Sequence, residues 1–535
     1  MELIDNIPKE KLRGGFYTPK PIADFILKWA INGTENYDIL EPSCGDGIFL
    51  NELKSNNFRF NSCTAIEIDS EESEKARKNY LPNTSILNKD FHSYFNNTEK
   101  RFDLVVGNPP YIRYQYFDKQ QQREAERIFQ KANLHYSKLT NAWVSFVIGS
   151  SLLLKNEGKI GFVLPAEILQ VSYASQLREF LAHFYNKINI VSFKKLVFPS
   201  IQQEVVLLLC EKNNSDNHKI EHIELNDETE LKKLNVNLLK SPEKQIDFKT
   251  NKWTFYFLNQ MEIDFFEEIK KDGIIPKIKD FADVEVGMTT GSNEFFTVSD
   301  SIIKNYNLEK YAFPLVGRSV QVPGLKFTRL DWKNNIKAGA RAYFLKFPNI
   351  NKLKSNKEAL TYINLGERKK INERYKCRIR DEWQIVPSVW TSDALFIRRN
   401  NLFPKLILND LNAYTTDTMH RVSIKKGISH EAFISSFYNS LSLASSEING
   451  RSYGGGVLEL MPSEVANILI PFTESNAMAI DEIDEMLRKK KNIEKILDIT
   501  DKKILKEAYG FSDKDTELAR SIWKKLSSRR LNRKR

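Results

Sequence analysis

The four residues Asn108-Pro109-Pro110-Tyr111 follow directly on the apolar run Leu104-Val105-Val106-Gly107. β-friendly residues closed by a glycine and two prolines read as a buried strand that stops at a rigid corner, because proline cannot extend a central strand. At that corner stand an amide side chain, a carbonyl on proline-fixed backbone and an aromatic ring. The set suits an exocyclic ring amine that must attack an activated methyl group. Such an amine is a poor nucleophile because its lone pair is delocalised into the ring. It needs two fixed acceptors, one for each N–H, rather than a strong base. The Asn108 side-chain oxygen and the Pro109 carbonyl could supply them, with Tyr111 stacked on the base. This is catalysis by positioning and electrostatics. The competing reading is a strand followed by a proline-rich turn.

Several elements must position that corner. Tyr37-Asp38-Ile39-Leu40-Glu41-Pro42-Ser43-Cys44-Gly45-Asp46-Gly47 reads as a strand running into a glycine turn, with a helix from Ile48. Glycines let the backbone approach a ligand and the helix start offers free N–H groups. The turn lacks the Gly-x-Gly-x-x-Gly spacing of dinucleotide binders. Glu41 and Asp46 make it acidic, which suits a ligand ammonium better than a pyrophosphate. The next strand, Cys63–Asp69, carries Glu67 about twenty residues after the turn, where a carboxylate would accept ribose hydroxyls. Asp69 before Ser70 reads as a helix cap. Asp90-Phe91 then offers an acceptor for an adenine amine and an apolar neighbour for its ring. Upstream, Gly14-Gly15-Phe16-Tyr17-Thr18-Pro19 is a loop before a helix whose Ile22, Phe25, Ile26 and Trp29 share one face.

Downstream, a helix is expected around Gln120–Gln130, and an apolar one from Thr140 to Leu154 that Asn156-Glu157-Gly158 ends. A strand Lys159–Leu164, a helix Tyr173–Phe184, a strand Ile188–Phe193, a Phe198–Gln203 loop and a strand Glu204–Cys210 follow. Alternating strands and helices closed by two strands without a helix predict an α/β domain, its sheet mostly parallel with an antiparallel last strand. Residues 14 to 210, with Tyr17-Thr18-Pro19, the Glu41–Gly47 turn, Glu67, Asp90-Phe91, Asn108-Pro109-Pro110-Tyr111, the Gly161–Pro165 strand and Phe198-Pro199, resemble the catalytic domain of DNA N6-adenine methyltransferases of type II restriction–modification systems. The motif order is that of the gamma class, of TaqI type. The resemblance implies a Rossmann-like fold and S-adenosylmethionine as cofactor. Its pocket would be lined by Tyr17, Thr18, Pro19, Glu41, Pro42, Gly45, Asp46, Gly47, Glu67, Ile68, Asp90 and Phe91, with Asn108 beside it. Asn108 and Pro109 would bind the target amine, Pro110 belongs to the same catalytic motif, and Tyr111 and Phe198 would sandwich a flipped adenine. Cys44 departs from the small residues, such as alanine, common in that turn.

Three segments are expected: a catalytic domain over 1–245, an α+β target-recognition domain over 246–473 and a basic helical extension over 474–535. Residues 211 to about 250 read as sheet edge plus polar linker. Val284–Phe296 alternates as strand–turn–strand and resembles the opening of target-recognition domains. Arg318, Lys326, Arg368–Lys370, Arg374, Arg378, Arg380, Trp383, Trp390, Arg398, Arg399 and Arg421 interleave basic and aromatic side chains, most of them expected to be solvated and a few to meet DNA. The lysine- and arginine-rich end is expected to fray and to add salt-sensitive affinity.

The balance of 80 Lys and Arg against 69 Asp and Glu, a net charge of +11, favours a polyanionic partner, most simply double-stranded DNA. Four dispersed cysteines, Cys44, Cys63, Cys210 and Cys377, indicate neither a disulfide framework nor a metal site and fit a reducing cytosol. No signal-peptide layout and no membrane-length apolar run is present. The expectations are a bacterial cytoplasmic, nucleoid-associated monomer, a separately encoded restriction endonuclease, and no fused nuclease. The same four-residue corner also serves enzymes that methylate RNA, protein glutamine or cytosine N4, and a DNA-binding protein with an inactive catalytic domain is a further alternative.

Overall fold

The computed structural model describes residues 17–31, 36–78, 81–112, 116–137, 140–198, 204–234, 236, 239, 244–248, 252–353, 356–453 and 455–532. The chain forms two compact units that meet between Ile263 and Asp264.

In the first unit α1 (Lys20–Ala30) leads into β1 (Asp38–Glu41), α2 (Ile48–Ser55), β2 (Ser62–Glu67), α3 (Ser70–Arg77), β3 (Thr84–Asn88), α4 (Phe91–Asn96) and β4 (Phe102–Gly107). Then come α5 (Lys119–Lys131), α6 (Ala142–Leu152), β5 (Leu154–Pro165), α7 (Ser175–Phe184), β6 (Lys187–Phe193), β7 (Val205–Glu211), β8 (Lys219–Leu225) and β9 (Lys244–Gln245). The nine strands lie in the order β3-β2-β1-β4-β5-β7-β6-β8-β9. β1 to β5 are parallel to their neighbours, and β7 runs antiparallel between β5 and β6. This is the expected mostly parallel Rossmann-like sheet. It continues past the antiparallel strand, with β8 parallel to β6 and β9 antiparallel to β8. The polar stretch after residue 211 thus contributes two strands. Lys219-Ile220-Glu221-His222-Ile223-Glu224-Leu225 alternates in and out, with Ile220, His222 and Leu225 buried.

The apolar face of α1 packs on the sheet: Ile22, Phe25, Ile26 and Trp29 are buried in one cluster with Leu104, Val106 and Leu207. A Cβ on Gly161 would stand 2.6 Å from Ile26, so glycine lets helix and strand approach. α6 stops at Leu152 and β5 begins at Leu154. Asn156-Glu157-Gly158 are therefore not a helix stop but an irregularity inside the strand. Register with β4 jumps from Leu154↔Phe102 to Lys159↔Leu104. The bulge lets Lys155 reach Asp38 and Asp103, both at 2.9 Å, and a Cβ on Gly158 would press on Leu154 and on the Asp103 carbonyl.

The second unit is built on small sheets. Its main one is built from β10 (Ala282–Val286), β11 (Ala394–Ile397), β12 (Leu406–Leu408) and β13 (Met419–Ile424), in the order β10-β13-β11-β12. The expected second strand before residue 296 is instead a helical turn, α8 (Asn293–Phe296). Phe295 and Phe296 are both buried, which a two-residue strand alternation would not allow. The expected fraying of the end is not found as far as Asn532; Arg533 to Arg535 lie outside the described residues. α9 (Ser440–Asn449) packs against a long helix, α10 (Asp513–Leu531), whose Arg530 is 1% exposed and pairs with Glu447 at 2.6 Å. No helix among the described residues is long and apolar enough to cross a membrane.

Candidate active site

The C-terminal ends of the first four strands carry the polar groups. The strand order places Asp90 after β3, Glu67 on β2, Glu41 on β1 and Asn108 after β4, in that sequence across the sheet. A cavity of about 630 Å³ runs along them. Tyr17, Thr18, Glu41, Pro42, Gly45, Asp46, Glu67, Ile68, Asp90, Phe91, Asn108 and Pro110 all line it.

The glycine turn explains the shape. Gly45 and Gly47 have φ of 53° and 89°, left-handed values that a side chain would strain, and a Cβ on Gly45 would meet nothing within 4 Å. The Gly45 N–H donates to Glu67 Oε2 at 2.9 Å and the Asp69 N–H to Oε1 at 2.8 Å. Ser43 Oγ donates to the Asn108 carbonyl at 3.2 Å, tying the acidic turn to the proline corner. The Asp69 carboxylate caps α3, as expected. Cys44 is buried, and burial pushes its thiol up, so it serves there as a small neutral side chain.

The carboxyls crowd one another. Glu41 is 2% exposed, and its Oε2 has no hydrogen-bond partner among the described residues. Burial, with Asp46 and Glu67 adding to it, holds its carboxyl well above the usual range. Asp46 is raised by burial and by Glu72, and Glu67 by burial, against the pull of its two backbone N–H groups. Burial also pushes Asp90 up, but hydrogen bonds from His92 and backbone N–H groups outweigh it and leave Asp90 below its ordinary value. The donor set fits S-adenosylmethionine. A buried orphan carboxyl oxygen answers an ammonium, Glu67 retains lone pairs for hydroxyls, and Asp90 is an acceptor beside an apolar wall.

Of the remaining predicted residues, Pro19 precedes α1 as its cap and Gly47 caps α2. Pro109 is buried at the corner. The Tyr111 hydroxyl donates to the Val163 carbonyl at 3.1 Å, and its ring packs against the apolar cluster that includes Phe198, which is 4% exposed. Tyr111 and Phe198 thus share one region, with Phe198 facing core rather than solvent. Pro199 to Gln203 and Gly14 to Phe16 lie outside the described residues. Sequence reasoning missed Lys89, His92, Ile112, Phe117, Gln121 and Phe146, which also line the cavity. Phe146 stacks on Phe91 at 4.7 Å from the middle of α6, and nothing in an all-apolar helix marks which ring reaches a pocket.

Fold and acidic pocket together define an S-adenosylmethionine-dependent methyltransferase. Residues 40–198 match the Eco57I restriction-modification methylase family, and residues 250–505 the C-terminal domain of the type II methyltransferase M.Eco57I. The type II methyltransferase M.AccI of Acinetobacter calcoaceticus is 24% identical over 473 residues, covering 84% of each chain. M.HincII of Haemophilus influenzae is 27% identical over 215 residues, 39% of this chain and 40% of its own length. In three dimensions the type ISP restriction–modification enzyme LlaGI aligns with a TM-score of 0.48 at 14% identity, over 89% of this chain and 55% of that one. Across both units the chain is similar to type II restriction–modification methyltransferases.

Proposed function

We propose that the protein methylates N6 of an adenine flipped out of duplex DNA, as a gamma-class modification enzyme. The observation that carries this reading is the placement of Asn108 beside the acidic cavity, held by Ser43 at the end of β4. Bound in that cavity, S-adenosylmethionine supplies a methyl group on a positively charged sulfur. The Asn108 side-chain oxygen and the Pro109 carbonyl accept the two N–H bonds of the amine and aim its lone pair at that methyl. Glu41 faces the ammonium, Glu67 the ribose and Asp90 the cofactor's adenine amine. The amine of a paired base is out of reach inside the stack, so extrusion is required. Pro110 stiffens the corner, and Tyr111 holds the base by stacking.

In this reading the first unit is catalytic, and the 246–473 region recognises the target with the help of the helical extension from 474. A net charge of +11 supports a DNA partner. A cytoplasmic monomer alongside a separately encoded endonuclease completes the proposal.

Long-read modification sequencing of DNA from a methylation-free host tests it, with the wild-type chain beside Asn108→Ala. N6-methyladenine at one short motif, absent with the variant, is the expected result. N4-methylcytosine would change the target base, and no modification with either chain would overturn a DNA substrate.

A further inference from the structure

Asp90 does not stand alone at its end of the cavity. His92, two residues on, is 1% exposed and lines the same cavity. Its Nδ1 lies 3.4 Å from Asp90 Oδ2, and its Nε2 lies 2.7 Å from Ser145 Oγ on α6. Phe146 and Phe117 close around the imidazole edge-on, at 5.0 and 5.7 Å. The other Asp90 oxygen, Oδ1, accepts the Ser93 N–H at 2.9 Å as the cap of α4. One oxygen is thus fixed by the helix and the other by a buried side-chain chain running to a neighbouring helix.

The hydrogen-bond inventory sets the direction of that chain at Asp90. A carboxylate only accepts, so Nδ1 of a neutral imidazole must carry the proton and Nε2 must accept. Ser145 has a single hydroxyl proton, which can go to that Nε2 or to the Ala142 carbonyl at 2.8 Å. Either way the Nδ1–H of His92 faces Asp90: a neutral ring takes the Ser145 proton at Nε2, whereas a protonated ring gives its Nε2–H to Ser145 while the Ser145 hydroxyl serves the Ala142 carbonyl.

We infer that His92 is a positioning residue that holds Asp90 as an aimed, ionised acceptor, and that the Ser145–His92–Asp90 chain makes the pocket select an adenine 6-amino group over a carbonyl at that position. The inference rests on the reading that Asp90 faces the cofactor's adenine. That placement agrees with the strand order, in which Asp90 stands at the end of the row farthest from Asn108, beyond Glu67. A 6-carbonyl in place of the amine would set acceptor against acceptor.

Binding without DNA tests it. Titration calorimetry compares S-adenosylhomocysteine with S-inosylhomocysteine, which carries the carbonyl, on the full chain. The wild-type chain is expected to favour the adenosyl compound by about tenfold or more, the effect of one charge-assisted hydrogen bond. His92→Phe keeps an aromatic ring between Phe117 and Phe146 but removes the donor, and should lose most of that preference through weaker adenosyl binding. His92→Asn returns a donor near the Nδ1 position and should restore it. Should His92→Phe fail to fold, Ser145→Ala reads the same ratio from the far end of the chain and should lower it. An unchanged ratio in the folded variants, or equal loss for both compounds, would overturn the inference. Because no DNA is present, a failure to methylate DNA would leave this result standing and sink only the proposed substrate.

Discussion

Charge does different work in the two units. In the first, Glu41 and Glu67 gather at the ends of parallel strands with no cation paired to either among the described residues; Glu67 is held by backbone N–H groups. In the second, arginines that look like a nucleic-acid surface in the sequence largely hold the scaffold. Arg421 is 4% exposed, stacks 3.5 Å from the Trp390 ring centre and donates to the Ser388 and Val286 carbonyls. Arg380 donates to the Thr289 and Thr290 carbonyls, and Arg398 and Arg399 share Glu459. Like charges crowded without counter-ions cost stability and await a ligand, whereas charges bonded to carbonyls and carboxylates of their own unit have their partner already.

The largest expected break falls on the second pattern. Arg530→Ala would leave Glu447 buried without its counter-ion. Burial already raises the Glu447 carboxyl, and Arg530 is what opposes that. The loss should be about 3–5 kcal/mol, read by chemical denaturation. A change under about 1 kcal/mol would mean that the end of α10 contributes little to this unit, and the contrast with a frayed terminus would disappear.

The first pattern breaks at Asn108. Asn108→Ala should lower methyl transfer by about 10²–10³-fold, the scale of losing one preorganised hydrogen-bonding group, with DNA affinity intact. Single-turnover transfer and a binding isotherm separate the two. Retained transfer would detach the proline corner from the chemistry.

Glu41 sharpens the contrast by pH. Its folded carboxyl is held above its unfolded value, so the folded chain binds this proton more tightly. Stability from this group is therefore present at low pH and is lost as pH rises from the unfolded carboxylate range toward the folded one. Glu41→Gln removes that loss. The ligand-free variant should melt about 2–4 °C higher near neutral pH and lose the advantage toward pH 4. An ammonium favours the ionised form, so the same substitution should weaken S-adenosylhomocysteine binding by about tenfold. Lower stability together with unchanged binding would show that Glu41 is a structural residue.

The sequence made the first unit more readable than the second for a physical reason. Acidic residues at strand ends, glycines in a turn and prolines after an apolar run are unusual choices whose local chemistry already limits what they can do. Their spacing then follows from the βαβ repeat. What stayed hidden depends on distant partners. The three-residue break at Asn156–Gly158 looks like a helix stop until β4 is seen beside it. Phe198 looks available for stacking, yet the cluster around α1 buries it. His92 has no motif, since its meaning lies in Ser145 on another helix. Val284–Phe296 reads as strand–turn–strand, but the two adjacent buried phenylalanines at its end, Phe295 and Phe296, favour a turn of helix. Arginine is the extreme case, because the same residue can hold a phosphate or a backbone carbonyl and its neighbours in sequence do not say which.

Arg374 carries the smallest expected effect and the finest discrimination. It donates to Ser292 Oγ at 2.9 Å and to Glu294 at 2.5 Å, with its side chain 44% exposed and that of Glu294 54%. An exposed pair of this kind contributes little, so Arg374→Ala should change stability by no more than about 1 kcal/mol. Its value lies in the salt dependence of DNA binding. A phosphate contact adds about 0.9 to the slope of log affinity against log salt, whereas a scaffold arginine adds nothing. An unchanged slope would place Arg374 with Arg380 and Arg421 as part of the framework around residues 286–292. A slope lower by that amount would make it an exception to the pattern of the second unit, one guanidinium held by a weak surface carboxylate and free to exchange it for DNA.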